Sequence, residues 1–597
     1  MSDATVDGLL VKVRAGPAFG LGAMRSLGAA EPILEVPAGT PSAFGVTAAE
    51  PAVWMRIDAG DNVWDRAHGL IAGGYAADSA GVLAAEPDFN QSWAAPPAPD
   101  KQRCRPEPQS ADGGRAVGPG PAWHLGDDYS GLAAARASVP ESDQARVTIA
   151  HLDTGYDPRH AARPRNLWTE RQRNFTGEGA PDSAVDLTPA GGLLRNRGHG
   201  TGTIGILAGG EAPLPGGGSF VLGGAPGARV LPIRIGDSVV RFSTSSMVKG
   251  FAHALECGVD VLSMSMGGLA SSALADAVNR CYEAGIVLVT AAGNFLPGVP
   301  SPRSIVYPAR MRRVLAATGV MADGRPYNGA GLRAMQGCHG PDSKMETAIA
   351  GWTPNIPWPE LGCADTIDED GQVTSAATPQ VAAAAALWIA RHHEALERYP
   401  ERWMRGEAAR QALLRGAWKA TARLNEEQVR KVLGGGALSA LRALDQRPLP
   451  ASQLRRQPVA SAAWDWLKLV TGQGVGVTES IASPRERMLQ LEILQLAGRD
   501  PELAAMAGDA EGRAPSPRRR QAFLEAVRES EGASAALKGA IDRALGVGRA
   551  GPSLPPAPLT AAPVAAPSRS AAGDGKRRPP PPKYRRLRIF ALDPSLG

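Results

Sequence analysis

The fold is predicted from one stretch, VTIAHLDTG at residues 147–155, which is a short apolar run that ends in an Asp-Thr-Gly turn. Two further apolar runs, at residues 259–264 and 286–289, each follow a stretch whose apolar residues have helical spacing. Strand, helix and strand at this spacing predict an α/β fold with a mainly parallel sheet covered by helices. Such sheets place function at the carboxyl ends of their strands, where the Asp-Thr-Gly turn falls.

Outward from this sheet, the 597 residues are too many for one core, and composition divides the chain into segments. The predicted segments are a small α/β unit at 1–92, a linker at 93–120, the sheet-containing domain at 121–446, a linker at 447–483, a helical segment at 484–548 and a basic, proline-rich tail at 549–597. The tail is expected to be extended and disordered.

The net charge of +5 is small, and much of the basic surplus lies late in the chain. Basic runs of this kind are ordinarily solvated, so nucleic-acid binding is not favoured, and a partner for the tail stays open. The first residues lack a secretory pattern, and no run of about 18 apolar residues occurs. We expect a cytoplasmic protein without a membrane span, with secretion as the alternative.

The five cysteines are widely spaced, and none forms a CxxC pair. A small disulfide scaffold is therefore excluded, and reduced thiols are the simplest interpretation. Pairing of Cys338 with Cys363 stays open, because both lie in loop-like sequence.

Three segments carry residues suited to nucleophilic catalysis. Asp153 ends the opening stretch, His199 lies in GHGTGT (198–203), and Ser375 lies in VTSAATP (373–379). A serine attacks once an imidazole takes its proton, and a carboxylate holds that imidazole in the required tautomer. Singly, these residues have bland interpretations as a turn residue, a loop histidine and a helix N-cap. Together they predict a catalytic triad.

In the order Asp, His, Ser on an α/β pattern, the three segments resemble the subtilisin-like serine proteases over residues 121–446. The resemblance implies a serine endopeptidase that hydrolyses polypeptide substrates through an acyl-enzyme on Ser375. No cofactor or metal site is predicted, although structural calcium stays open. Residues 1–92, through the segment at 82–88 just before the linker, resemble the prodomain of this family, which assists folding, inhibits the enzyme and is removed by self-cleavage. An unrelated N-terminal interaction domain is the alternative.

The resemblance also assigns roles between the triad segments. Asn294 is the implied oxyanion donor, and the Tyr307–Pro308 bond is implied to be cis. An extended substrate is implied to pair with two short segments. The residues concerned are Ser265, Met266, Gly267, Gly268, Ala292 and Gly293.

Four positions depart from the family pattern, and one of them, Ala376 in place of the common methionine after Ser375, should not impair the mechanism. Val373 stands where glycine is usual, so a β-branched residue there could narrow the pocket or disturb the nucleophile. Gly202 replaces a common histidine, and His151 replaces an apolar residue on the face of the strand that carries Asp153. His151 is expected to be a hydrogen-bonded core residue. These departures keep open a catalytically silent peptide-binding or adaptor protein.

Overall fold

Strands and helices alternate along the part of the chain that the computed structural model describes, which is residues 5–15, 30–43, 50–58, 60–73, 81–92, 104–187, 197–213, 218–239, 241–297, 303–329, 331, 334–463, 483–507 and 516–547. The strands are β1 (Thr5–Arg14), β2 (Glu31–Val36), β3 (Ala52–Asp58), β4 (Val82–Ser92), β5 (Thr148–Asp153), β6 (Arg173–Asn174), β7 (Glu211–Pro213), β8 (Ser219–Val221), β9 (Arg229–Arg234), β10 (Gly236–Ser238), β11 (Arg241–Ser243), β12 (Val261–Met264), β13 (Val287–Ala291), β14 (Asn294–Phe295), β15 (Leu315–Val320), β16 (Gln336–Gly337), β17 (Ala348–Trp352), β18 (Ile356–Pro359) and β19 (Ile367–Gly371). The helices are α1 (Val63–Gly73), α2 (Leu132–Ala137), α3 (Glu141–Gln144), α4 (His199–Ala208), α5 (Thr244–Glu256), α6 (Ser272–Glu283), α7 (Asp342–Met345), α8 (Val373–Leu396), α9 (Trp403–Gly416), α10 (Glu426–Val432), α11 (Ala440–Leu444), α12 (Pro484–Arg499), α13 (Pro501–Ala507), α14 (Pro517–Glu529) and α15 (Ala535–Leu545).

A seven-stranded parallel sheet has the order β17-β15-β13-β12-β5-β9-β6. Along β5, Ala150 and Leu152 pack in the core that includes α5 and α6, whereas Ile149 packs in the core that includes α8. The sheet is thus covered on both faces, as its continuous apolar strands predict. The predicted α/β fold class is confirmed.

A second sheet has the strand order β10-β11-β4-β1-β3-β2. The strands that come from the first 92 residues pair with one another in antiparallel fashion. Together with helix α1, these strands give the first 92 residues the α/β character that was predicted for them. The last residues of β4 pair with β11, so this N-terminal sheet continues into strands from the 121–446 domain.

The N-terminal sheet packs on helices α5 and α6 through a shared apolar core. At its centre, buried Asp276 of α6 accepts hydrogen bonds from Lys12 Nζ and Trp54 Nε1, each at 2.8 Å. Two carboxylates of β4 cap the helices. Asp88 accepts from the backbone at the start of α5, and Glu86 accepts from the backbone at the start of α6. Acceptors at helix N-termini satisfy amide groups that lack intrahelical partners.

The helices α12–α15 contact both the N-terminal unit and the 121–446 domain. Glu492 of α12 is buried and accepts from His68 Nε2 of α1 at 2.8 Å and from Ser534 N at 2.6 Å. Nearby, Gln495 Nε2 donates to Ala270 O at 2.9 Å. The predicted tail at 549–597 lies outside the described residues.

Within the described part of the chain, one helix is long and apolar enough to cross a membrane, namely α8. Its most apolar window is 94% buried inside the protein. It packs against the parallel sheet and against α4, α9 and α11, as the central helix of a core does.

The cysteines correct the expectation of reduced thiols. Cys104 and Cys363 form a disulfide, so Cys363 does not pair with Cys338, which is buried. The disulfide attaches the predicted 93–120 segment to the 121–446 domain. Glu107 N and Asp368 Oδ1, 2.9 Å apart, add a hydrogen bond between the same two regions.

Candidate active site

Asp153 ends β5 at the centre of the parallel sheet, and its side chain is buried. Its Oδ1 accepts from His199 Nδ1 at 2.7 Å and from Thr154 N at 2.8 Å, and its Oδ2 accepts from Thr203 Oγ1 at 3.1 Å. Burial alone would raise the pKa of Asp153, but the charge and hydrogen bond of His199 outweigh it and hold that pKa below its usual value. The carboxylate is therefore ionised and firmly placed.

His199 is the first residue of α4, and its position depends on close backbone packing. A side chain at Gly200 would place a Cβ 2.0 Å from Gly155 O, in the turn after Asp153, so only glycine fits between the turn and the helix. Within the described residues, His199 Nε2 is buried and has no hydrogen-bond partner. The imidazole is thus held by its Nδ1 and has a free Nε2.

Trp358 of β18 covers the imidazole and explains one departure from the family pattern. Its ring meets that of His199 edge-on, with centroids 5.5 Å apart. A Cβ at Gly202 would lie 1.8 Å from Trp358 Cε2, so the indole fills the space that a side chain at position 202 would need. The sequence alone does not reveal this contact, because the two residues are distant along the chain.

Ser375 is the third residue of α8, and α8 packs against α4. The predicted nucleophile and the imidazole thus lie near the N-terminal ends of two adjacent helices. Ser375 Oγ donates to Ser265 O at 3.4 Å, and Ser265 Oγ donates to Ser375 O at 3.0 Å. The structure contains no hydrogen bond between Ser375 and His199 Nε2. Hydrogen bonds between a nucleophile and its base are often long in the absence of substrate and tighten when it binds, so the missing bond is compatible with catalysis.

Asn294 contacts Thr374, the residue before the predicted nucleophile Ser375. Its Oδ1 accepts from Thr374 N and from Thr374 Oγ1, each at 2.9 Å. These two bonds fix which side of the amide carries the oxygen, and the Nδ2 group makes no hydrogen bond within the described part of the chain. An amide held in this way can donate to a developing oxyanion next to Ser375.

The predicted substrate-binding residues line the same region, but several of their backbone groups already have partners. Gly268 exchanges two hydrogen bonds with Tyr307, at 2.7 and 3.1 Å, and the Tyr307–Pro308 bond is cis as implied. Ala292 N donates to Ala317 O, and Gly293 O accepts from Cys338 N. Ser265, Met266 and Gly267 follow directly after β12.

Gln91 of β4 is a site residue that the sequence did not identify. Its Oε1 accepts from Leu269 N at 2.9 Å, directly after the predicted substrate segment. A Cβ at Gly268 would lie 2.0 Å from the same oxygen. The N-terminal unit therefore reaches the substrate side of the site. No local pattern marks Gln91, because its role depends on how β4 pairs with β11.

The described residues contain no group of three or more His, Cys, Asp or Glu side chains arranged to hold a metal ion.

The fold and the site together define the class: an α/β protein with a buried Asp–His pair beside a serine at a helix N-terminus. The model of the subtilase family (Peptidase_S8) matches residues 144–436. A subtilisin of Bacillus pumilus is 30% identical over 250 residues, which cover 42% of this chain and 78% of that protein. The chain belongs to the subtilase family.

Other relatives match more partially. A thermostable alkaline protease of Halalkalibacterium halodurans is 31% identical over 202 residues, covering 33% of this chain and 48% of that protein. The chain spans about half the length of the first relatives it matches. The solved structure of the prenylagaramide maturation protease PagA aligns with 53% of this chain and 97% of that one, at 20% identity and a TM-score of 0.39. That score is too low to support a comparison of details.

Proposed function

We propose that this protein is a serine endopeptidase that hydrolyses peptide bonds through an acyl-enzyme on Ser375. The observation that supports the proposal most is the buried Asp153–His199 pair, at 2.7 Å, beside a serine at the start of α8. Burial of both side chains strengthens their interaction and favours the Nδ1–H tautomer, which leaves Nε2 as the base.

In the proposed reaction, Ser375 Oγ turns from Ser265 O toward His199 Nε2 and attacks the carbonyl carbon as Nε2 takes its proton. Asn294 Nδ2 and the backbone amide of Ser375 donate to the resulting oxyanion. The C–N bond then breaks as the imidazolium gives its proton to the leaving amine. Water attacks the acyl-enzyme with the same base, which releases the acid and restores Ser375.

We also propose that the protein is made as a zymogen that cuts itself between Ser92 and Cys104. Strand β4 ends at Ser92 paired with β11, and Gln91 already binds Leu269 N beside the substrate segment. These contacts bring the end of β4 to the predicted substrate segment, which supports a cut in the sequence that follows. Until release, the N-terminal sheet would block the cleft and would support α5 and α6 through its two capping carboxylates.

The disulfide between Cys104 and Cys363 bears on where the protein works. Disulfides persist in oxidising compartments and are rare in the cytosol. We therefore propose export, the alternative to the cytoplasmic expectation. The substrate is proposed to be an extended polypeptide, with no organic cofactor in the reaction.

Labelling with a fluorophosphonate probe tests the proposal. The full chain and its Ser375→Ala variant are compared, with mass analysis of adducts and fragments. A third variant carries a recognition site for an unrelated protease between Ser92 and Cys104, so that the N-terminal unit can be detached on demand. We expect labelling at Ser375 and a cut between Ser92 and Cys104, both lost in Ser375→Ala.

A wild type that stays unlabelled even after detachment of the N-terminal unit would contradict the endopeptidase and favour the silent peptide-binding protein. Labelling and self-cleavage without turnover of any added polypeptide would instead support an adaptor that uses proteolysis only on itself.

A further inference from the structure

His151 contacts the catalytic machinery although it lies outside the triad. It precedes Asp153 by two residues on β5, so both side chains leave the same face of the strand. The ring is 2% exposed, and its Nε2 lies 2.8 Å from Thr203 Oγ1. Thr203 is on α4, one helical turn after His199.

Thr203 Oγ1 connects His151 to the triad carboxylate. Besides its contact with His151, it lies 3.1 Å from Asp153 Oδ2, and it lies farther from the carbonyl oxygens of His199 (3.2 Å) and Gly200 (3.4 Å). A hydroxyl has one hydrogen, and an ionised carboxylate can only accept. When Thr203 donates to Asp153 Oδ2, the oxygen of Thr203 must accept, and His151 must donate from Nε2.

The donors then form one directed chain, from His151 Nε2–H to Thr203 Oγ1 and from Thr203 Oγ1–H to Asp153 Oδ2. The other carboxylate oxygen, Oδ1, accepts from Thr154 N and from His199 Nδ1. Within the described residues, Thr203 is the donor to Oδ2. Loss of this hydroxyl would leave that oxygen buried without a partner, and such a group is expensive to bury.

We infer that His151 and Thr203 are positioning residues, which hold the Asp153 carboxylate so that His199 keeps the orientation needed to activate Ser375. The inference rests on the proposed hydrolase function. Neither residue touches the reacting atoms, and both act through Asp153. The family resemblance did not suggest this role, since an apolar residue is usual at the position of His151.

The directed chain of hydrogen bonds from His151 through Thr203 to Asp153, called the relay below, requires a neutral His151. Burial lowers the pKa of His151 to about 4; the charge of Asp153 opposes this, and that of His199 reinforces it. Asp153 on β5 and His199 on α4 are the titratable groups that act on the ring, while its strand neighbours are Ser263 on β12 and Pro232 on β9. A neutral ring can donate from Nε2 without adding a buried charge that competes with the imidazolium of His199.

Substitutions at Thr203 separate positioning from packing. Thr203→Val keeps the shape and removes the hydroxyl, Thr203→Ser keeps the hydroxyl, and Thr203→Ala serves if the valine variant folds poorly. We expect Thr203→Val to lower kcat on a peptide substrate and the rate of fluorophosphonate labelling about tenfold, with KM within twofold. Thr203→Ser should stay within about threefold of wild type. His151→Phe should fall between them, because Thr203 can still donate.

The pH profile gives a readout that simple packing would not move. Without the Thr203 donor, no hydrogen bond from the described residues offsets the negative charge on Asp153 Oδ2. The carboxylate therefore stabilises the imidazolium of His199 more strongly. The acid limb of kcat/KM should therefore move to higher pH in Thr203→Val and return in Thr203→Ser. Equal rates and profiles for wild type and Thr203→Val, or equal impairment of Thr203→Val and Thr203→Ser, would overturn the relay.

A measurement that needs no activity separates this inference from the proposed function. The Nδ1 proton of His199, observed in the full chain labelled with ¹⁵N-histidine, reports on its bond to Asp153. We expect its low-field resonance to shift or broaden in Thr203→Val and to recover in Thr203→Ser. A wild type without any labelling would refute the hydrolase while this resonance still tested the relay, and an unmoved resonance would refute the relay alone.

Discussion

Val373 lies two residues before Ser375 and has a φ of +64°, in the left-handed region that favours glycine. Its side chain is half-buried and packs beside Met321, Tyr327 and Ala334. Its carbonyl accepts from Thr353 Oγ1 at 3.1 Å. The backbone next to the nucleophile therefore has the shape that glycine would give, while a β-branched side chain adopts it at a conformational disadvantage.

At Val373, the glycine variant should be more stable to unfolding than the alanine variant, which is the reverse of the usual order within a helix. Both remove the packing of the valine, but only glycine removes the strain of a positive φ, which is about 1–2 kcal/mol for an L-residue. We expect Val373→Gly to be more stable than Val373→Ala by roughly 0.5–1 kcal/mol, after allowance for the greater chain entropy of glycine. Urea unfolding in the Ser375→Ala background measures the difference without self-digestion.

The matched control is Arg391, an exposed residue on the same helix. There Arg391→Ala should be more stable than Arg391→Gly by about 1 kcal/mol, since the backbone is helical. The same order of alanine and glycine at both positions would contradict the strain at Val373.

Asn294→Asp tests the proposed oxyanion donor. Aspartate keeps the oxygen that accepts both bonds from Thr374, but it exchanges the Nδ2 donor for a second oxygen that carries negative charge and cannot donate. We expect kcat to fall at least about 10²-fold, a magnitude that comes from subtilisin itself rather than from this chain. The melting temperature should stay near that of wild type. Asn294→Ala should also lose the Thr374 contacts and melt earlier, and an active Asn294→Asp enzyme would exclude the amide from catalysis.

The disulfide between Cys104 and Cys363 should contribute about 2–4 kcal/mol, the typical range for a disulfide that restricts the unfolded chain. We expect the double variant Cys104→Ser/Cys363→Ser to melt earlier than wild type, and a reductant to lower the wild type to the same temperature. Cys257→Ser, at a half-buried free thiol, is the control and should respond to reductant as wild type does. Alkylation of all five cysteines without prior reduction would show that the disulfide does not form.

His124 should make the fold sensitive to acid. Burial, and to a smaller degree the charge of Arg136, lowers the pKa of His124 to about 3 from its ordinary 6.5. The unfolded chain then binds a proton at a pH where the folded chain does not, so stability is full above pH 6.5 and falls as the pH drops. Between pH 6.5 and 4.5 the loss is roughly 2–3 kcal/mol.

His124→Phe should flatten this dependence, measured by urea unfolding at several pH values in the Ser375→Ala background. Within the described residues both ring nitrogens of His124 lack hydrogen-bond partners, so phenylalanine forfeits no bond. An unchanged slope in His124→Phe would assign the acid sensitivity to other groups.

The sequence predicted what depends on local pattern. The apolar run before Asp153 became β5, and the helical stretch after Ser375 became α8. Contacts between distant segments escaped prediction. Cys104 forms a disulfide with Cys363 instead of remaining reduced. This pairing could not be predicted, because it depends on how the segment after residue 103 crosses the domain.

The same limit applies inside the site. Gly202 replaces a histidine that is common in the family, and Trp358 of β18 fills the space that a side chain at position 202 would need. His151 was expected to be a hydrogen-bonded core residue, and its bond to Thr203 agrees with that. The second bond, from Thr203 to Asp153, requires the packing of α4 on β5 and has no signature in either segment.

The contact between His68 and Glu492 joins residues 424 positions apart. A ribosome that adds about 5–20 residues per second needs roughly 20–80 s to pass from one to the other. Throughout that interval the peptidase region is being completed while the surface of α1 that receives Glu492 stays uncovered. Synthesis itself thus imposes an order of events, because Ser375 is made before the helices α12–α15 that contact the N-terminal unit. A self-cut made before those helices are complete would act on an N-terminal unit that they do not yet contact.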